Sequence, residues 1–388
     1  MTPMSHRERL LKALNHEETD RVPLDVGSSL TTGINLHAYE NLKKHLGLDI
    51  KTKTVSNRSQ LARVDERILR LFDIDTRILA LPPMEDNLSP ATTTNDGLES
   101  YTDEWGVVRT KPVGGHYYVS KVPFEGSHVS AMELKKHKWP DPTDPNKIKG
   151  LKEEARRLRE QTDYGIVLSL PGRLISLGQF LRGFGPWLED LVINQKFACG
   201  LLDIGLEIQM ELCKRMLEAV GNCVDVVHFG DDYGMQTGPI LSPDMYRNIF
   251  KPRQKKLYSL IKTKTDAKIL FHSCGSVYKL IGDFIDAGID ALNPIQVSAE
   301  DMDTKKLKRE FGNKIAFWGG VDSQRVLPFG TQDEVRKEVK GRIDDLGPGG
   351  GYILAAVHNV QAEVPPENIV ALFETGKEYG SRRFFDSL

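Results

Sequence analysis

A histidine and a cysteine, His272 and Cys274, stand two residues apart where an apolar run gives way to a turn. The run that starts at Lys268 predicts a buried strand, and residues two apart on a strand point to the same side. An imidazole nitrogen and a thiolate sulfur side by side are two of the ligands that zinc prefers. A single pair of this kind is a weak motif, so the rest of the chain has to supply further ligands.

The elements that would position this pair follow a regular order. From residue 147 onward, strand-like runs alternate with helix-like segments, and two earlier runs at Val22 and Thr76 bring the number of strands to eight. Alternating strands and helices indicate parallel βα units, and eight such units close a (β/α)8 TIM barrel. We therefore predict an α/β chain in which residues 1–388 form a single TIM-barrel domain. An N-terminal helical extension is expected from Ser5 to Leu14, with Ser5 as its N-cap and Glu8 three residues later, as in a capping box.

Residues 87–145 interrupt this order. The stretch 87–122 is rich in Thr, Gly and Tyr and contains two β-like runs, 105–108 and 116–119, which predict a β-hairpin insertion. Residues 139–145 contain three prolines and are expected to form a linker. The sequence leaves three roles open for the insertion: a lid, a contact within a homodimer, or a docking surface for a partner protein.

The composition narrows the class of function. The chain has 388 residues, of which 39% are hydrophobic and 27% charged, which is ordinary for a globular protein with a sizeable core. Its formal net charge of −2 argues against an electrostatic grip on nucleic acid or membrane. No apolar run approaches the roughly 20 residues that span a bilayer, and the N-terminus is too polar for a secretory signal. We therefore expect a cytoplasmic protein that binds neither nucleic acid nor membrane.

In a barrel of this kind the active site lies at the C-terminal ends of the strands. The fifth and eighth strand ends face each other across the mouth, so His358, after the eighth strand, is expected to join His272 and Cys274 in a zinc site. Three protein ligands leave one position of tetrahedral zinc open, which is typical of a catalytic site. Asp231 or Glu363 is a candidate to fill that position at rest.

Other polar residues at the strand ends are candidates for catalysis or substrate binding. We assign catalytic roles to His272 and to the adjacent pair Asp231 and Asp232, which follows the fourth strand. An alternative for both aspartates is that they cap the helix that follows their loop. Arg173, after the third strand, is expected to bind either an anionic substrate group or a neighbouring carboxylate. The remaining candidates for the substrate-binding wall are Tyr233, Gln236 and Trp105.

Taken in order along nearly the whole chain, six short motifs resemble the uroporphyrinogen decarboxylase superfamily. They are most similar to its methyltransferase branch, the methylcobalamin:coenzyme M methyltransferases and corrinoid-dependent demethylases. The resemblance implies a (β/α)8 barrel and a zinc ion held by a His-x-Cys pair and a later Cys. The pair corresponds to His272 and Cys274, whereas His358 stands in place of the later Cys. The motifs are Arg21-Val22-Pro23, Asp103-Glu104-Trp105-Gly106, Gly230-Asp231-Asp232-Tyr233-Gly234, His272-Ser273-Cys274-Gly275, Trp318-Gly319-Gly320-Val321-Asp322, and His358-Asn359-Val360-Gln361 with Pro365-Pro366-Glu367-Asn368.

The same resemblance implies zinc-assisted methyl transfer between a small-molecule donor or thiol acceptor and a cobalamin. Zinc can lower the pKa of a thiol or polarise a methyl-bearing oxygen, while Asp231 or Asp232 would serve as fourth ligand or orient a ligand histidine. The cobalamin is expected to arrive on a separate corrinoid protein, because no part of this chain resembles a cobalamin-binding domain. The methyl donor, the acceptor and the direction of transfer stay open.

Two other classes of function compete with methyl transfer. One is a metal-free lyase of the uroporphyrinogen decarboxylase type, which would need cationic partners for the porphyrin carboxylates. Residues 24–32, where the decarboxylases carry arginines, contain none here. The other is a barrel without enzymatic activity, which ranks last because the His and Cys residues of the site are present.

Overall fold

Seven parallel strands form a curved sheet at the centre of the molecule, as seen in a computed structural model that describes residues 4–80, 92–93, 97–112 and 115–385. Each strand is buried on both faces, as a parallel sheet covered by helices requires. In spatial order the strands are Tyr352–Ile353, Ala316–Trp318, Ala291–Asn293, Lys268–His272, Val226–Gly230, Gly165–Ser169 and Thr76–Ile78.

An eighth extended segment, residues 22–25, joins the two edges of this sheet. On one side the amide of Asp25 donates to the carbonyl of Leu354 at 3.0 Å, within a parallel bridge between Leu24 and Leu354. On the other side the amide of Asp75 donates to the carbonyl of Leu24 at 3.0 Å. The sheet therefore closes on itself, and the predicted (β/α)8 TIM-barrel class is confirmed.

Helices surround the barrel and cover its strands. Among the described residues, none of them combines the length and the apolar character needed to cross a bilayer. Their bounds are His6–Leu14, Leu36–His45, Glu66–Leu71, Ala131–Lys136, Leu151–Gln161, Ile175–Arg182, Phe184–Ile193, Gln195–Val220, Pro243–Met245, Lys251–Lys264, Ile281–Ala287, Thr304–Phe311, Val326–Phe329, Gln332–Leu346 and Pro366–Phe385, with a π-helical turn at Tyr246–Phe250.

The N-terminal helix His6–Leu14 seals the barrel at the end where the strands begin. Ser5 and Glu8 form the expected capping box, each side chain accepting a hydrogen bond from the other's backbone amide. Leu10 and Leu14 then enter the same apolar cluster as the inward-facing strand residues. Apolar side chains therefore fill this N-terminal end of the barrel, and a polar site is expected at the C-terminal ends of the strands.

The insertion forms a four-stranded antiparallel sheet of Thr92–Thr93, Glu99–Thr102, Val108–Lys111 and Tyr118–Lys121. The predicted hairpin is present as its last two strands, but residues 105–107 belong to the preceding turn, where Gly106 has a φ of +80°. Residues 87–91, at the start of the expected insertion, lie outside the described residues. A second small antiparallel sheet contains Ile34–Asn35, Leu61–Arg63 and Lys53–Ser56.

Candidate metal centre

Three side chains with zinc-binding atoms meet at the C-terminal mouth of the barrel. One ligand atom each from His272, Cys274 and His358 lies within 4.8 Å of the others, and His272 Nε2 is 3.2 Å from Cys274 Sγ. Zinc bonds to nitrogen and sulfur place the ligands of one ion about 3.3–3.8 Å apart. Small side-chain rotations would therefore bring all three atoms onto one ion, and the donor set fits zinc. The structure brings the three predicted ligand residues together, while their occupancy by zinc stays a prediction.

Two glycines fix the loop that carries Cys274. A Cβ atom on Gly234 would lie 2.4 Å from the carbonyl oxygen of Cys274, and one on Gly275 would lie 2.5 Å from the carbonyl carbon of Gly234. Gly275 also has a φ of +87°, which favours glycine. The loop after the fourth strand can therefore press directly against the loop after the fifth, and this contact sets the position of the thiol.

The ring of His272 is oriented by a residue that was not predicted as part of the site. His272 Nδ1 lies 2.5 Å from the side-chain oxygen of Asn293, whose amide nitrogen donates to the carbonyl of Trp318 at 3.1 Å. An amide oxygen only accepts, so Nδ1 carries the proton and Nε2 is left free to bind a metal. Carbonyl partners of this kind hold metal-binding histidines in proteins. In the sequence, the feature that could have indicated this role is the position of the polar Asn293 at the end of the sixth strand.

The loop of His358 is tied to the rim of the barrel by its neighbour Asn359. The side-chain oxygen of Asn359 accepts from the amide of Gly33 at 2.6 Å, and its nitrogen donates to the carbonyl of Leu30 at 3.0 Å. Burial lowers the pKa of His358 to about 4, with a further contribution from His272. The imidazole is therefore neutral near pH 7, which is the form that binds metals.

Burial also acts on the other two members of the cluster. It lowers the pKa of His272, which is accordingly neutral as well. Burial, with the nearby charge of Asp232, raises the pKa of the Cys274 thiol above its usual range. The thiol thus keeps its proton in the metal-free protein, and binding of a metal would release that proton.

The two aspartates of the fourth loop have different surroundings. Both carboxylate oxygens of Asp231 are occupied: they accept from the amides of Leu174, Ile175 and Ser176 and from the Ser176 hydroxyl, at 2.6–2.9 Å. Asp231 therefore caps the N-terminus of the helix Ile175–Arg182, which precedes this loop in the chain, while its catalytic role stays a prediction.

Asp232, in contrast, stays at the cluster. Its Oδ1 accepts from the amide of Cys274 at 2.8 Å and lies 3.7 Å from His272 Nε2. Its side chain is 54% exposed, so it can turn toward a ligand in the mouth. Of the two aspartates, Asp232 is the one with an exposed carboxylate beside the cluster, and its role in catalysis or as fourth ligand stays a prediction.

Tyr233 and Trp105 do not line the cluster. Tyr233 is fully buried, and its ring packs against Tyr246 and Phe250 in the aromatic core. The structure thus places Tyr233 among core rings and away from the metal cluster, and its substrate-binding role stays a prediction. The centre of the Trp105 ring lies 6.2 Å from that of Trp139, so Trp105 packs the insertion against the linker that follows it.

Gln236 contacts neighbouring loops. Its nitrogen donates to the carbonyl of Ser298, and its oxygen accepts from Gln296 at 3.3 Å. Gln296 in turn accepts from the amide of Gly275 at 2.8 Å. Through Gln296, Gln236 therefore stabilises the loop that carries Cys274, and its side-chain amide is already hydrogen-bonded.

A further polar residue, His228, lies deeper in the mouth. Its ring nitrogens bond to the hydroxyls of Ser169 and Thr31, both at 3.1 Å. Burial, then His272 and Arg173, lowers the pKa of His228 to about 3, which keeps it neutral. The charge of Arg173 also contributes to the lowered pKa of His272, and its substrate-binding role stays a prediction.

A closed barrel of parallel strands with polar residues gathered at its C-terminal mouth places this chain in the class of TIM-barrel α/β proteins. Residues 121–379 match the family model described as uroporphyrinogen decarboxylase (URO-D). This match covers well over half of the chain, so the chain belongs to the uroporphyrinogen decarboxylase family. The superfamily indicated by the sequence motifs is thereby confirmed.

Individual relatives are distant. The chain is 30% identical to a uroporphyrinogen decarboxylase of Trichodesmium erythraeum over 143 residues, which span 36% of this chain and only 38% of that relative. It is 21% identical to a uroporphyrinogen decarboxylase of Legionella pneumophila over 95% of this chain and 96% of the relative. Among solved structures, a methyltransferase from Methanosarcina mazei superimposes with a TM-score of 0.64 at 22% identity, covering 97% of this chain and 99% of that one. This likeness shows a shared fold.

Proposed function

We propose that this protein is a zinc-dependent methyltransferase that moves a methyl group between a small molecule and a cobalamin carried by a separate corrinoid protein. The observation that carries the proposal is the cluster of His272, Cys274 and His358 at the barrel mouth. Two neutral imidazoles and one thiol are a donor set for zinc, and three protein ligands leave a position for a substrate atom. The name of the Methanosarcina mazei neighbour, a methyltransferase, adds support for this reaction class.

Zinc at this position would supply Lewis acidity toward a substrate thiol or a methyl-bearing oxygen. The residues of this chain prepare the place for it. Asn293 holds the His272 ring with Nε2 toward the cluster, and Gly234 and Gly275 hold the Cys274 loop. Asp232, whose side chain is 54% exposed beside the cluster, would accept a hydrogen bond from an incoming thiol or hydroxyl.

A decarboxylase-type lyase is the second candidate, because the curated relatives carry that name. The loop after the first strand offers little to a porphyrin. The only acid in residues 24–32 is Asp25 at the end of the first strand, which is buried and accepts from the Thr76 hydroxyl at 2.6 Å and from the Trp318 indole at 2.8 Å. No arginine lies between residues 24 and 32 to bind a carboxylate.

Metal analysis of the purified protein separates the two candidates. We expect about one zinc per chain, and a large loss of zinc in Cys274→Ser and in His358→Ala, because each removes one of three ligands. Cys199→Ser, which alters a cysteine of the helix Gln195–Val220, is the matched control and should keep its zinc. Wild-type protein without stoichiometric zinc would rule out the proposed mechanism, and undiminished zinc in His358→Ala would remove His358 from the ligand set.

The direction of transfer is then read from the corrinoid. Absorbance of methylcobalamin is followed with added thiols, and absorbance of cob(I)alamin with added methyl ethers. Turnover of uroporphyrinogen by metal-free protein would favour the lyase instead.

A further inference from the structure

The loop that follows the first strand, residues 28–33, is hydrogen-bonded to the segment that carries His358. The amide of Gly33 donates to Asn359 Oδ1 at 2.6 Å, and Asn359 Nδ2 donates to the carbonyl of Leu30 at 3.0 Å. Asn359 is buried, so both bonds are shielded from water. The position of this loop therefore constrains the residue next to His358.

The same loop reaches the His272 side of the metal centre through the hydroxyl of Thr31. Thr31 Oγ1 lies 3.1 Å from His228 Nε2 and donates to Asn293 Oδ1 at 3.5 Å, a long contact for a hydroxyl donor. That Asn293 oxygen is also the atom that lies 2.5 Å from His272 Nδ1. The Thr31 hydroxyl thus contacts both a buried histidine and the group that orients the His272 ring.

One assignment of protons satisfies every group along this path. Asn293 Oδ1 can only accept, so the single proton of Thr31 points toward it and the Thr31 oxygen accepts from elsewhere. Because burial lowers the pKa of His228 to about 3, its ring is neutral, with one nitrogen donating and the other accepting. Nε2 is then the donor to Thr31, and Nδ1 accepts from the Ser169 hydroxyl at 3.1 Å. This first-loop network therefore runs in one direction, from Ser169 through His228 and Thr31 to Asn293.

We propose that Thr31 and His228 are positioning residues of the metal centre. His228 fixes the Thr31 hydroxyl, and Thr31 in turn holds the loop of residues 28–33. Their effect reaches one histidine ligand through Asn293 and the other through Asn359. Partners that orient metal-binding histidines influence metal affinity without touching the ion. The metal itself rests on the proposed function, whereas the first-loop network does not depend on a metal.

NMR of isotope-labelled histidine side chains in the metal-free protein tests the direction of the network. We expect His228 as the Nε2–H tautomer and His272 as the Nδ1–H tautomer in wild type. Thr31→Val, which keeps the shape of the side chain and removes its hydroxyl, should shift the His228 ring resonances and the Nδ1 proton resonance of His272. An Nδ1–H tautomer of His228, or a His272 resonance that is unchanged in Thr31→Val, would overturn the proposal.

Zinc competition titrations measure the effect on the metal centre. Thr31→Val should lower zinc affinity by about 3- to 10-fold, the usual worth of one neutral hydrogen bond, and Thr31→Ser, which keeps the hydroxyl, should retain wild-type affinity. Thr19→Val is the matched control, because it removes a buried hydroxyl that donates to the Arg21 carbonyl in the segment before the first strand. It should lower stability in urea and leave zinc affinity unchanged. Wild-type zinc affinity in Thr31→Val, or an equal loss in Thr19→Val, would contradict the positioning role.

A double-mutant cycle tests whether the loop joins the two sides of the centre. Thr31→Val and Asn359→Ala act on the same loop, so their losses of zinc affinity should not be additive. Gln236→Ala acts on the loop of Cys274 instead, so its loss should add to that of Thr31→Val. Additive losses in both pairs would refute the coupling through residues 28–33. If wild type binds no zinc yet shows the expected tautomers and Thr31→Val shifts, the positioning of the histidines stands and only the proposed function fails.

Discussion

Replacing Asn293 by alanine should weaken metal binding without removing any metal ligand. Asn293 is fully buried, and its side-chain oxygen lies 2.5 Å from His272 Nδ1. Alanine deletes the acceptor that keeps the Nδ1 proton in place and the Nε2 atom directed at the cluster. Loss of such a partner typically costs 10- to 100-fold in metal affinity, which corresponds to about 1.4–2.7 kcal/mol.

The same change should also destabilise the metal-free protein. The carbonyl of Trp318 loses the donor that Asn293 provides at 3.1 Å, and the His272 ring loses its acceptor. A buried polar group left without a partner costs about 1–3 kcal/mol. Urea unfolding of metal-free protein measures this part, so it can be separated from the loss of metal affinity.

Asn293→Asp separates the loss of His272 ring orientation from a general loss of protein stability. A carboxylate still accepts from His272 Nδ1 but has no hydrogen for the Trp318 carbonyl, so stability should fall while zinc affinity stays close to wild type. Competition titrations against a chromophoric chelator at pH 7 give the affinities, with the exposed Asn222→Ala as control. Wild-type affinity in Asn293→Ala, or equal losses in Asn293→Asp and Asn293→Ala, would refute the positioning argument.

Three other predictions follow from the geometry of the mouth. Gly275→Ala should displace the neighbouring Cys274, because the added Cβ would lie 2.5 Å from the backbone of Gly234 and the φ of +87° is strained for alanine. We expect a lower zinc content in a variant whose circular dichroism spectrum shows that it is folded. Undiminished zinc would contradict this prediction. Asp231→Asn should cost about 1–2 kcal/mol in urea unfolding through loss of a helix cap, with zinc content unchanged; loss of zinc would restore Asp231 to the site. His228 is neutral in the folded protein down to pH about 3 but would protonate below about 6.5 when unfolded, so the free energy of unfolding should fall as the pH decreases from about 6.5 toward 3. His228→Gln should show a smaller decrease over that range, and an identical pH dependence would contradict the assignment.

Much of the fold followed from patterns that are local in the chain. Each strand of a parallel barrel is a short apolar run flanked by turn residues, so Lys268–His272 could be located from its sequence alone. The capping box at Ser5 and Glu8 is equally local. In the insertion the same reasoning found two strands, but Thr92–Thr93 and Glu99–Thr102 are short and polar and gave no comparable pattern.

The sequence by itself determined the barrel class and the cluster of His272, Cys274 and His358, because eight βα units fix which strand ends share the mouth. Side-chain partners were decided only by the tertiary structure. Asp231 and Asp232 are adjacent and chemically identical, yet one caps a helix and the other borders the cluster, since successive side chains leave the backbone in different directions.

The contact of Arg109 with Phe180 could not be predicted from the sequence either, because it joins an insertion strand to a barrel helix that is distant in the chain. Which polar groups find partners, and which are left to bind a ligand, depends on such contacts between distant parts of the chain.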